Sequence, residues 1–246
     1  MLKRCVLIIG AFVAFHSGFC QGAIPVVFRS QETLKGLNNG IGATELLYGI
    51  PLPPAALVGD SYLSENWMLS SVMLYQDEKL LEGYLTRYDI SEDMIQFKTK
   101  NGVKVLNGAS VKSLVWIDTL SKVRSYLINA KEYTDETNTQ LSGFFEVLSD
   151  GSLPLFKKTI ISIKKANYMV QFDVGSRDDV IQKLENYFYE QEGTVFKVPS
   201  SKKKVIKLFN VKEAEIKNFI DSNSLNISQE HHLKAVFDKY NLLVKE

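Results

Sequence analysis

The chain has 246 residues, of which 45% are hydrophobic, 23% charged and 11% aromatic. This composition is typical of a folded globular protein and excludes a disordered or low-complexity chain. The formal net charge of +1 gives no overall attraction to nucleic acid, and two cysteines and three histidines leave little material for thiol or metal chemistry. We therefore expect no nucleic-acid partner, no cofactor and no metal site.

The first twenty residues have the layout of a secretory signal peptide. A basic head, Lys3 and Arg4, precedes an uncharged apolar run from Cys5 to Phe15, and small residues follow. A membrane-spanning helix needs about 20 apolar residues, so this run is short for a permanent anchor. We predict that residues 1–20 are a signal peptide and that the mature protein is exported to the periplasm or secreted.

The end of this segment allows cleavage after Cys20, Gly22 or Ala23, and the sequence leaves these positions open. Acylation of Cys20 would instead anchor the chain to a membrane, but Phe19 stands where lipoprotein signals have a small residue. Cleavage removes both cysteines, so we expect neither a disulfide nor a thiol in the mature fold. It also removes two of the 29 basic residues against 28 acidic ones, which leaves a net charge of −1.

Glycine and proline are frequent in residues 21–58, and both break the periodicity of helices and strands. We predict an irregular N-terminal segment there. The span Gly40 to Glu45 has too few spaced glycines for a phosphate-binding loop and lacks the Lys-Ser/Thr pair.

Residues 59–199 have the pattern of an antiparallel β domain. Short runs rich in β-branched and aromatic residues alternate with turn signals, of which Asn101-Gly102, Asp150-Gly151 and Glu192-Gly193 are the clearest. Such spacing predicts a meander, a curled sheet or an open barrel. The predicted strand regions are Trp67 to Tyr75, Lys79 to Ile90, Met94 to Lys100, Val103 to Leu106, Val111 to Ile117, Lys122 to Ala130, Gly143 to Leu148, Leu153 to Ile163, Met169 to Val174 and Tyr187 to Val198.

The apolar period changes to that of a helix in residues 200–246. The last stretch, from Leu233 to Val244, has a continuous apolar stripe, and Asn210 with Glu213 has the spacing of a helix-opening capping pair. We predict two or three short helices that pack on the β domain. The expected fold class is therefore α+β, with an antiparallel sheet followed by C-terminal helices.

Gly59-Asp60-Ser61 matches the nucleophile block of the GDSL-type esterases, and these enzymes also need a Gly-x-Asn-Asp block and a late Asp-x-x-His pair. Neither histidine of the last segment has an aspartate three residues before it, and Gly-x-Asn-Asp does not occur. A serine without a base is a weak nucleophile. We interpret Asp60-Ser61 as a turn at the start of the first strand.

The remaining candidates for chemistry also favour a structural interpretation. Adjacent helical residues such as His231 and His232 point about 100° apart and cannot hold one metal ion together. The acidic pairs Glu92-Asp93 and Asp178-Asp179 are typical of turns, and the sequence does not show two carboxylates facing each other. We therefore predict no catalytic, cofactor-binding or metal-ligating residue.

Charge is unevenly distributed, with 11 basic and 16 acidic residues in 24–150 against 16 basic and 12 acidic in 151–246. The basic excess includes Lys202, Lys203, Lys204 and Lys207, which allow a weak contact with anionic surfaces. The cluster contains no arginine, which favours a role in solubility over a shaped anion site.

Several sequence segments between about Gly59 and Asn241 resemble those of an uncharacterised group of exported β-rich proteins from Gram-negative bacteria. They are GDSYLSENW, GYLTRYDI, GFFEVLSDG and KKKVIKLFNVKEAEIKNFIDSNSLNISQEHHLKAVFDKYN. The resemblance implies a signal peptide, a β-rich body and a helical end. It implies no activity and no catalytic residue.

These observations favour a non-enzymatic binding or structural module of the cell envelope, with an unknown envelope protein or an apolar or anionic ligand as its partner. The alternatives are a carboxylate-based hydrolase of envelope polymers, which needs two carboxylates within reach of each other in a pocket, and a lipid carrier, which needs an empty apolar cavity. Trp67 and Trp116 fit either a core or a ligand-lined sheet, and the core is favoured.

Overall fold

The structure is a computed structural model that describes residues 56–119, 122–169, 172 and 174–245. The predicted signal peptide, its cleavage sites and nearly all of segment 21–58 lie outside the described residues, as does most of the predicted strand from Met169 to Val174. Apart from Met169 and Phe172, the described residues belong to one compact unit. None of its helices combines the length and the apolar composition needed to cross a membrane.

Within the described residues the chain forms eleven β-strands followed by three α-helices, and the predicted α+β class is confirmed. The strands are β1 (Leu57–Val58), β2 (Met68–Leu74), β3 (Leu80–Asp89), β4 (Met94–Thr99), β5 (Gly102–Asn107), β6 (Val111–Ile117), β7 (Arg124–Asn129), β8 (Phe144–Ser149), β9 (Leu155–Lys164), β10 (Asp179–Gln191) and β11 (Thr194–Lys197). The helices are α1 (Lys202–Lys207), α2 (Glu213–Ser222) and α3 (Glu230–Lys245).

All eleven strands belong to one open sheet with the order β1-β10-β9-β8-β7-β6-β2-β3-β4-β5, and β11 also pairs with β10. Two runs of hairpins, β2 to β5 and β6 to β10, lie side by side through the antiparallel β2–β6 pair. One pair of the sheet is parallel: β1, which precedes the predicted antiparallel domain of residues 59–199, pairs in parallel with β10. A parallel pair needs a long connection, and more than 100 residues separate these two strands.

The predicted turn signals lie at strand connections. Asn101-Gly102 joins β4 to β5, and Gly102 has a φ of 102°. Glu192-Gly193 joins β10 to β11, and its φ values of 54° and 81° match a hairpin turn that requires two positive dihedrals. These local signals therefore set the pairing of neighbouring strands.

A contact between distant strands shows that the sheet is curled. The rings of Tyr88 in β3 and Phe144 in β8 meet edge to face with centroids 5.0 Å apart, although β2, β6 and β7 separate these strands. We call the side of the sheet that carries both rings the inner face. Its buried cluster contains Val72, Tyr88, Ile95, Phe97, Val111, Leu114, Trp116, Leu127 and Phe144.

The three helices pack on the inner face at β8, β9 and β10. Leu153 and Leu155 share a buried cluster with the apolar sides of the helices, which contribute Val205, Ile206, Phe209, Ile216, Ile220, Leu233, Val236 and Phe237. The predicted capping pair at Asn210 is wrong, because Asn210–Lys212 is itself a 3-10 turn. The helix α2 consequently begins at Glu213 without a side-chain cap.

The segment from Leu57 to Leu63 connects two distant parts of the sheet. It begins as β1 beside β10, forms an ion pair between Asp60 and Lys183, and then pairs with β3 through a bridge between Tyr62 and Asp89. We call it the crossing segment. Leu63 at its end packs against the inner-face cluster.

Candidate functional site

Asp60 and Ser61 hold the crossing segment in place. The Asp60 carboxylate accepts a hydrogen bond from the backbone N–H of Tyr62 at 2.8 Å and pairs with the Lys183 ammonium at 3.0 Å. Burial opposes ionisation of this carboxyl, but these interactions outweigh it and lower its pKa. The Ser61 carbonyl accepts the N–H of Ile90 at 2.9 Å. The predicted turn is therefore present, and it follows β1.

His232 links the start of α3 to the loop before it, and His231 lies exposed next to it. His232 Nδ1 accepts the backbone N–H of Asn226 at 3.2 Å, and His231 is exposed beside it with the ring centroids 4.1 Å apart. Among the described residues, no group of three or more histidine, cysteine, aspartate and glutamate side chains has an arrangement that could hold a metal ion.

The predicted acidic pairs and basic cluster occupy separate places. Asp93 accepts the Tyr88 hydroxyl at 2.8 Å, and Asp179 pairs with Lys165 at 2.8 Å. The four lysines of the cluster lie exposed on α1, where Lys202 pairs with Asp221 at 2.7 Å. The predicted acidic pairs and the lysine cluster on α1 therefore do not form a common site.

Two adjoining cavities of about 320 Å³ and 210 Å³ lie on the inner face. The side chains that both cavities share are Leu63, Leu127, Glu146, Lys157 and Thr159. The Lys157 ammonium lies 2.9 Å from the Glu146 carboxylate, 3.0 Å from that of Glu230 and 3.9 Å from that of Glu185. Strands β8, β9 and β10 and the first residue of α3 thus meet at one ammonium group.

The charges around Lys157 are mutually satisfied. Burial alone would lower the pKa of its ammonium, but the hydrogen bonds and charges of Glu146 and Glu230 outweigh burial and raise it. The Tyr187 hydroxyl donates to Glu230 at 3.2 Å. This arrangement ties α3 to the sheet.

The inner face fits neither a hydrolase nor a lipid carrier well. A glycoside hydrolase needs two carboxyl groups that face a substrate across a gap. In the smaller cavity Glu146 and Glu185 instead share the Lys157 ammonium, and in the larger one Asp93 accepts the Tyr88 hydroxyl. A lipid chain needs an apolar lining, and the larger cavity is also lined by charged Asp93 and Lys158. Burying these groups under a hydrocarbon chain would be costly.

The opposite, outer face of the sheet carries a larger and more apolar cavity of about 560 Å³. We call it the outer groove, and its lining consists of Tyr126, Ile128, Tyr133, Val147, Leu148, Asp150, Pro154 and Phe156. Tyr126 and Ile128 of β7, Val147 of β8 and Phe156 of β9 supply half of this lining from one face of the sheet, since successive side chains of a strand point to opposite faces. Behind it lies a buried cluster of Ala130, Phe145, Phe156 and Val195.

Acidic residues lie in and near the outer groove, and we call them the acidic rim: Asp150 lines the groove, and Glu132 and Glu190 lie near its Tyr133. Burial raises the pKa of the Tyr133 hydroxyl, and the charges of Glu190, Glu132 and Asp150 raise it further, so these carboxylates lie within electrostatic reach of the groove. Among the described residues, none of the three carboxylates forms a salt bridge. The groove therefore combines an apolar floor with negative charge that has no counter-ion in this part of the chain.

Sequence reasoning did not find this groove. The sequence identified the turn residues Asp150 and Glu192. The groove, however, exists only because β7, β8 and β9 are neighbours in the sheet and because the chain makes a 3-10 turn at Ala130–Glu132, and both features depend on the order of strands. Comparison with protein-family models, curated proteins and solved structures gave no match for this chain. The fold and the surface thus define an α+β protein with an open curled sheet, and its function is inferred from the surface alone.

Proposed function

We propose that this chain is a non-enzymatic binding module of the cell envelope, and that the outer groove binds a basic, apolar segment of a partner protein. The observation that carries the proposal is the apolar groove, which is lined by Asp150 and has Glu132 and Glu190 close to its Tyr133. None of these three carboxylates has a salt-bridge partner among the described residues. The signal-peptide layout of residues 1–20 supports the location.

Charge complementarity selects the occupant. An apolar side chain of the partner would fill the groove, while lysine or arginine residues on either side of it would meet the acidic rim. Tyrosines at the floor and mouth, Tyr133 and Tyr126, supply the amphipathic contact area that is enriched at protein interfaces. An acidic segment would be repelled by the same rim.

A short labelled peptide that alternates lysine and leucine tests this proposal. We expect saturable binding by fluorescence anisotropy that weakens as salt is raised, because the attraction includes exposed charges. The double variant Asp150→Asn/Glu190→Gln should bind the peptide about three- to ten-fold more weakly at low salt. Tyr126→Glu, at the groove mouth, adds a negative charge but removes an aromatic contact. Weaker peptide binding by this variant would therefore measure the aromatic contribution.

Glu82→Gln is the matched control, because Glu82 is an exposed carboxylate on β3 outside the groove. We expect it to bind the peptide as the unchanged protein does. A peptide that alternates glutamate and leucine should not bind. The proposal is overturned if the lysine peptide does not bind, or if it binds the double variant and the unchanged protein equally.

A further inference from the structure

Arg87 on the outer side of β3 is held in one orientation by its neighbours. Its guanidinium carbon lies 3.7 Å from the ring centroid of Tyr62 and 4.7 Å from that of Trp67. Its Nε donates to the Gln96 side-chain oxygen at 2.9 Å, and its Nη2 donates to the Tyr62 hydroxyl at 2.9 Å. A guanidinium fixed in this way loses little entropy when it binds a further group.

The positive charge of Arg87 is not neutralised within the described residues. Its hydrogen-bond partners, Gln96 and Tyr62, are uncharged, and it forms no salt bridge in this part of the chain. Asp89, which points to the same face of β3, instead accepts hydrogen bonds from Ser91. The exposed ammonium of Lys98 adds a second positive charge 5.9 Å from the Trp67 ring.

We propose that Arg87, Lys98 and Trp67 form a binding site for the carboxylate of an acidic sugar in a glycan. The free N–H groups of the guanidinium are suited to two parallel hydrogen bonds with a carboxylate, and Lys98 adds charge. This site goes beyond the proposed protein partner and uses a different part of the outer face.

The aromatic residues distinguish a sugar from a simple acid. A pyranose ring has an apolar C–H face that can pack against the half-buried indole of Trp67 while its carboxylate meets Arg87. A small carboxylate would contact only the two cations, whereas a sugar ring can also cover the part of the indole that Arg87 leaves exposed. The geometry thus favours a uronic-acid unit.

Oligogalacturonate is a suitable probe, because Trp67 gives the site its own fluorescence. Of the two tryptophans in the chain, Trp116 is only 3% exposed on the inner face, so added ligand should alter the Trp67 emission. We expect a saturable fluorescence change that is absent in Trp67→Phe. Neutral oligogalactose should bind at least ten-fold more weakly, as should polyglutamate.

Variants separate the role of Arg87 from general stability. Arg87→Gln should weaken oligogalacturonate binding by about ten- to a hundred-fold, and Arg87→Lys should restore only part of it because the planar fork is lost. Lys98→Gln changes an exposed side chain and should weaken binding several-fold with an unchanged Tm. Arg124→Gln, at an exposed arginine on β7, is the matched control and should bind normally.

The outcomes decide the proposal without involving the outer groove. Equal binding of oligogalactose and oligogalacturonate would overturn the carboxylate assignment, and equal binding of polyglutamate would overturn the sugar assignment. Unchanged binding by both Arg87→Gln and Lys98→Gln would overturn the site itself. The lysine–leucine peptide should bind all these variants equally, so the proposal for the outer groove is tested independently of the Arg87 site.

Discussion

Lys157 shows how one side chain can decide between interpretations of a pocket. Three neighbouring carboxylates could be mistaken for a catalytic acid–base pair. Each of them, however, lies within 4.0 Å of the Lys157 ammonium. A buried cation with several partners is typical of a structural network, since removing one partner leaves uncompensated charge. The charged cluster around Lys157 is therefore best described as the junction that joins α3 to the sheet.

Tyr187 makes this junction sensitive to alkaline pH. Burial and the charges of Glu230 and Glu185 raise its pKa from 10.0 to about 12. Because the folded state prefers the neutral phenol, the stability that it contributes is complete below about pH 10 and is lost as the pH rises to about 12. We expect Tyr187→Phe to lose less free energy of unfolding over this interval than the unchanged protein does.

Urea denaturation at several alkaline pH values measures this difference. Tyr126→Phe, which removes an exposed hydroxyl on the outer face, is the control and should follow the unchanged protein. Parallel pH curves for Tyr187→Phe and the unchanged protein would contradict the assignment of Tyr187 to the alkaline loss.

At the scale of elements, a second set of hydrogen bonds, made by Asn241, also attaches α3 to the sheet. Asn241 is 3% exposed, and its side-chain oxygen accepts the N–H of Leu153 at 2.9 Å. Its amide donates to the Leu153 carbonyl at 3.0 Å and to the Ser149 hydroxyl at 3.2 Å. One helical residue thus completes the hydrogen bonding of the turn between β8 and β9.

Asn241→Ala should lower the free energy of unfolding by about 2–4 kcal/mol, because it leaves buried backbone groups of Leu153 without partners. Chemical denaturation followed by circular dichroism measures the change. Asn223→Ala, which removes an exposed hydrogen bond at the end of α2, should cost less than about 1 kcal/mol. A similar small cost for both variants would show that Asn241 does not anchor α3.

Local patterns predicted most elements, and long-range contacts account for the differences. The strands from β2 to β9 and the three helices lie near their predicted positions, since each has an apolar period and clear turn signals. The first half of β10, from Asp179 to Asn186, was not predicted because it is largely polar and partly exposed. The strand β1 was assigned to the irregular segment because its pairing depends on β10.

The candidate sites were harder to predict than the fold. Trp67 was expected in the core, but it lies half-buried beside Arg87 on the outer face, whereas Trp116 is buried as expected. Tyr62 and Arg87 are 25 positions apart and meet only because the crossing segment returns to β3. Such a site has no signature in local spacing, since the order of strands brings its members together.

For the whole molecule, the clearest prediction concerns its processing. We expect the full chain, expressed in a Gram-negative host, to be recovered from the periplasm with a new N-terminus at Gln21, Ala23 or Ile24. Ile9→Arg places a charge in the apolar run and should leave the chain uncleaved in the cytoplasm. Mass spectrometry of both proteins identifies the N-terminus, and an uncleaved periplasmic chain or palmitate on Cys20 would contradict the prediction.

The crossing segment also has a consequence for folding kinetics. The backbone N–H of Ala56, the residue just before this segment, donates to the Asp178 side chain 122 positions later, so this contact closes a very long loop. Contacts of such sequence separation slow folding, because the entropy of loop closure is lost before the contact forms. The β2–β5 meander can form from neighbouring residues, whereas the β1–β10 pair requires almost the entire sheet. Under the proposed export, β1 therefore stays unpaired until β10 has also crossed the membrane.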